Sequence, residues 1–111
     1  MLSKKYRTME RYKKAGAKMR LFKTLGVKMI TEISSVLSAA DRYKLMCAMD
    51  KVDEICSKAE DNMFRDYPQL TGEYIDVFYG ATDYEPRNDV DREIIEMARE
   101  AADELFTRKR N

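Results

Sequence analysis

The sequence predicts an all-α fold, a small bundle of about four helices with a basic N-terminal helical arm, and three features predict it. Apolar residues recur at alternating spacings of three and four in separate segments, the longest being Leu45, Met49, Val52, Cys56, Ala59 and Met63. Helix-start residues stand in front of such stripes at Ser38 and at Asn88 or Asp89. No pair of alternating segments is joined by the Asn-Gly or Asp-Gly turn that marks a hairpin of strands.

The first segment, Lys4 to Met19, carries Lys4, Arg7, Arg11, Lys14 and Lys18 on one helical face, with Tyr6, Met9, Tyr12, Gly16 and Met19 opposite. From Leu21 onward the apolar stripe changes phase. Phe22, Leu25, Met29, Ile33 and Val36 would lie on the basic face if one straight helix ran through both stretches. A break is therefore expected, with Gly16 and Gly26 as the candidates, because glycine costs a helix interior about 1 kcal/mol relative to alanine. Residues 1–20 are read as the arm and residues 21–111 as the bundle, with 21–37 its first core helix.

Ser38-Ala39-Ala40-Asp41 opens the next helix, with an acid at its third position in the manner of a capping box, and the stripe from Leu45 to Met63 carries it to about Arg65. Pro68 suits the first turn of a short helix and Gly80 the residue past its end, with Leu70, Tyr74, Val77 and Phe78 on one face. The alternation from Tyr74 to Tyr79 leaves a strand open for residues 68–80. Residues 81–88 form a polar connection. In the final helix Val90, Ile94, Met97, Ala98, Ala101 and Leu105 make the buried side, and Arg108, Lys109 and Arg110 favour the negative end of its dipole. Its outer face is acidic, with Asp89, Glu93, Glu96, Glu100 and Asp103 in register.

Composition narrows the function. At 111 residues and 44% apolar, the chain suffices for one core and is too hydrophobic for disorder throughout. No apolar run reaches the roughly 18 residues of a membrane span, and the N-terminus lacks the apolar stretch of a signal peptide, so a cytoplasmic location is expected. Cys47 and Cys56 lie nine residues apart on one helix, hence on opposite faces, and cannot bridge each other. The chain has no histidine, which removes the commonest general base and metal ligand together. The acids from Asp83 to Glu93 lack the central glycine of a calcium loop and are interrupted by Pro86 and Arg87. No glycine-rich phosphate loop is present. A non-enzymatic protein without metal or cofactor is the expectation.

Charge is segregated beneath a net of +1. Residues 1–28 hold ten Lys or Arg and one acid, so the rest of the chain carries eleven cations against nineteen acids. The leading functional reading is docking on nucleic acid or a nucleoprotein through Lys4, Arg7, Arg11, Lys14 and Lys18, with Tyr6 and Tyr12 supplying rings. Its rival is a protein-binding adaptor or inhibitor, whose acidic face Asp89, Glu93, Glu96, Glu100 and Asp103 would imitate a polyanion. A solvated or self-neutralising surface is the plainest account of both stripes. The partner and the oligomeric state stay open.

Overall fold

Thr8 opens the first helix: its side chain accepts from the Arg11 amide at 3.2 Å, and its carbonyl from the Tyr12 amide. The computed structural model describes residues 6–80 and 85–106. Among them are three α-helices, α1 Met9–Glu32, α2 Ala39–Asp66 and α3 Asp89–Phe106, with one 3-10 turn at Gly72–Tyr74 and no strand. The all-helical class stands, with three helices in place of about four.

The separate basic arm is not borne out, because α1 runs unbroken through residues 19–21. Its glycines serve close approach rather than a break. A Cβ on Gly16 would overlap the Val77 carbonyl oxygen and lie 2.6 Å from Val77 Cγ1, and one on Gly26 would lie 2.7 Å from Met49 Sδ. Dispersion attraction between the helix and the closely packed Val77 and Met49 offsets the propensity cost of glycine.

Ser38 caps α2 as expected, accepting from the Asp41 amide at 3.1 Å, and the helix ends at Asp66, one residue past the expected limit. Asn88 caps α3, its Oδ1 accepting from the Asp91 amide at 2.8 Å. Residues 68–80 form neither the short helix nor the strand. Their amides bond three residues back, Tyr74 to Thr71, Val77 to Tyr74 and Tyr79 to Asp76, a tight winding that tolerates Gly72 and buries Val77 and Phe78. Gly80 leaves this segment at φ +137°, a conformation that L side chains rarely adopt.

The core is small and lies at one end of the molecule. Tyr12 and Ala17 of α1, Cys56 and Met63 of α2, Val77 and Phe78, and Val90, Ile94 and Ala98 of α3 make it up. The α2 stripe therefore divides: Cys56 and Met63 are fully buried, whereas Leu45, Met49, Val52 and Ala59 are half-buried. In α3 Ile95 is buried, a residue the periodicity misses, and Leu105 is 70% exposed.

No residue from 27 to 55 is buried. The expected core residues Phe22, Leu25, Met29 and Val36 are exposed, because α3 reaches only the first half of α1, and the second half projects with the start of α2 as a two-helix hairpin. The radius of gyration records the projection, at 15.7 Å against about 13 Å for a compact chain of this length. Both cysteines are free thiols. No helix among the described residues is long and apolar enough to cross a membrane.

Candidate nucleic-acid interface

Two polar clasps hold α1 in place and decide which of its cations remain available. At the first, Asp66 at the end of α2 accepts from Arg7 Nε at 2.7 Å, Arg7 Nη2 at 3.2 Å and the Tyr12 hydroxyl at 2.6 Å. The Tyr67 hydroxyl donates to the Arg7 carbonyl at 3.2 Å, and the Tyr12 and Tyr67 rings meet edge to face at 6.3 Å. The hydrogen bond to Asp66 raises the Arg7 guanidinium above its ordinary value. Burial, reinforced by that carboxylate, pushes the Tyr12 phenol up to about 12.

At the second clasp Arg20, 1% exposed, meets Asp91, 3% exposed, at 2.7 Å. The same guanidinium donates to the Val77 carbonyl at 3.2 Å and to the Asp76 carbonyl. Arg87 closes the ring, its side chain 3.0 Å from Asp76 and its amide donating to Asp91 at 2.9 Å. Burial alone would raise the Asp91 carboxyl, but the Arg87 amide and the Arg20 guanidinium hold it below the usual carboxylate range. Nothing in the spacing of the sequence singles out Arg20. Its one signal is a cation standing next to Met19 on the side of α1 that also carries Gly16.

The predicted basic residues consequently separate. Lys4 lies outside the described residues. Arg7 and Tyr12 are held by Asp66, and Tyr12 is buried. Arg11, Lys14 and Lys18 are exposed on one face of α1, Lys14 with Glu10 at 3.4 Å. Tyr6 is 49% exposed. Tyr6, Arg7, Arg11, Tyr12 and Lys14 nevertheless line one open cleft of about 480 Å³, together with Ala15. Lys18 stands apart, lining a smaller groove of about 190 Å³ between α1 and α3 opposite Glu100 and Glu104.

The acidic face also divides. Glu93 reaches Lys13 of α1 at 2.7 Å, and Asp89 pairs with Arg92 at 2.8 Å. Glu96, Glu100 and Asp103 are exposed. The edges of α1 and α3 therefore neutralise each other in part, and Lys14, Lys18 and Glu100 of the two charged stripes line one groove between the helices. Among the described residues no group of three or more acids and cysteines is placed to hold a metal ion. Comparison with family models, with curated proteins and with solved structures returned no match.

Proposed function

We propose that the protein is a non-enzymatic interaction protein that docks on nucleic acid through the cleft at the start of α1. The observation that carries this reading is the convergence of an exposed ring, Tyr6, with the exposed cations Arg11 and Lys14 on a single cleft. Cations at a cleft meet phosphates, and an exposed tyrosine offers a face on which an unpaired base stacks, a combination that suits a single strand better than a duplex. Arg7 frames the cleft while its charge is met by Asp66, so it holds Tyr12 in place and contributes little to the electrostatic footprint.

The test is fluorescence anisotropy of a labelled single-stranded oligonucleotide across a salt series. Two phosphate contacts on a single strand give a log-log slope of about 1.4. Arg11→Ala with Lys14→Ala should remove most of that slope and the affinity with it. An absence of binding at low salt, or an unchanged slope in the double variant, would overturn the reading.

A second reading, the protein-binding adaptor or inhibitor, draws on the exposed Glu96, Glu100 and Asp103 of α3. It predicts recovery of a basic protein from nuclease-treated extract that is lost when those three acids become glutamine or asparagine.

A further inference from the structure

The continuity of α1 places Lys18, Phe22, Leu25, Met29 and Glu32 on one helical face, at spacings of four, three, four and three. Phe22 is 55% exposed, Leu25 59% and Met29 39%, and all three belong to the hairpin that α3 leaves uncovered. We propose that this face pairs with the same face of a second copy, antiparallel about a two-fold axis at Leu25, to form a homodimer.

The charge pattern argues for a second copy over any other occupant. Lys18 and Glu32 are each seven residues, two turns, from Leu25, one on either side. An antiparallel partner centred there sets Leu25 against its own counterpart and brings each Lys18 opposite a Glu32 of the other chain. Neither side chain has an ion-pair partner among the described residues, so both are available for this exchange. A two-fold interface must be complementary to itself, and a stripe with an apolar centre, a cation at one end and an anion at the other meets that requirement. Residues 27–55 hold four cations and five acids, a nearly neutral surface that suits neither a polyanion nor a strongly charged peptide.

Packing leads to the same partner. A projecting pair of helices has too little surface against which to bury its apolar side, whereas two such pairs make a four-helix bundle. The contact would cover Phe22, Leu25 and Met29 and leave the Tyr6, Arg11 and Lys14 cleft free at both ends of the dimer. The inference is independent of what that cleft binds.

Sedimentation equilibrium over a wide concentration range tests the pairing. Wild type is expected to move from monomer to dimer mass as concentration rises. Leu25→Glu should remove the dimer while leaving helicity and, at concentrations where wild type is also monomeric, the melting temperature near wild type, since Leu25 is exposed in the single chain. Lys18→Glu and Glu32→Lys should each weaken the dimer by placing like charges together, and the two combined should restore it. Wild type that stays monomeric throughout, a dimer that survives Leu25→Glu, or a combined swap weaker than either single change would each overturn the proposal.

Discussion

Arg20 and Asp91 form an ion pair at 2.7 Å with both side chains almost wholly removed from solvent. Arg20 comes from the middle of α1 and Asp91 from the first turn of α3, and the carbonyls of Asp76 and Val77 occupy two further donors of the guanidinium. One interaction thus ties three segments together. A buried pair contributes little relative to well-packed apolar residues, but breaking it strands a charge.

Asp91→Asn is therefore expected to cost about 3–5 kcal/mol in chemical denaturation, because the buried Arg20 loses the carboxylate that meets it at 2.7 Å. The effect should depend on pH. Asp91 has a folded pKa below its ordinary value, so its contribution is fully present above the unfolded carboxylate pKa and disappears as pH falls through the lower folded value. Wild type should lose stability on acidification below about pH 4, and Asp91→Asn should show a shallower loss over the same window.

The opposite sign applies at Tyr12, whose phenol is raised from 10.0 to about 12 by burial and by its bond to Asp66. Its contribution is complete below pH 10 and is lost as pH rises to about 12. Tyr12→Phe should remove that alkaline dependence. At neutral pH it should also cost about 1.5–3 kcal/mol, the range for a hydrogen bond to a charged group. Ultraviolet titration of the seven tyrosines should lose its step near pH 12 in this variant.

The α1 glycines give a comparison with a definite order. Alanine is the better helix former by about 1 kcal/mol, so an open site would gain stability from the change. Gly16→Ala should instead lower the melting temperature, since its Cβ meets backbone and a β-branched side chain at Val77. Gly26→Ala should be milder because Met49 presents the flexible end of its thioether, which swings aside. Equal effects would mean that Val77 can retreat.

These positions also show what the sequence could and could not reveal. Ser38, Asn88 and the first half of the α3 stripe, Val90, Ile94 and Ala98, declared themselves because caps and periodicity are local signals, whereas Leu105 at its end is exposed and Ile95 beside it is buried. The change of apolar phase after Met19 was equally visible, yet it marks a change of neighbour along one helix. The first half of α1 packs on α3 and the core, and the second half projects beyond it. Which half of a long helix is covered depends on where another helix ends, and no local pattern encodes that. The basic stripe was legible as a face. The capture of Arg7 and Tyr12 by Asp66, more than fifty residues away, was not.

Removal of residues 1–19 is expected to abolish cooperative unfolding. The truncation deletes Tyr12 and Ala17 from the core and takes both Arg7 and Tyr12 away from Asp66. A truncated chain that melted cooperatively with unchanged helicity per residue would show that α2 and α3 build a core without the start of α1. Circular dichroism with calorimetry distinguishes the outcomes.

Along the basic face, cations that look equivalent in the sequence should give separable effects. Arg7→Ala deprives Asp66, 7% exposed, of its guanidinium and leaves the Tyr12 bond in place, so it should lower stability with little change in the salt dependence of oligonucleotide binding. Arg11→Ala and Lys14→Ala remove exposed charges that lie away from the core, Lys14 only 3.4 Å from the exposed Glu10, so each should leave the melting temperature nearly unchanged. Each should also reduce the salt slope by about 0.7 if it meets one phosphate of a single strand. Binding and denaturation measured on the three variants thus separate the cation that holds the fold from those that meet the ligand. A slope that falls with Arg7→Ala as much as with Arg11→Ala would mean that Arg7 exchanges Asp66 for phosphate on binding, and that the clasp at the start of α1 opens to admit its ligand.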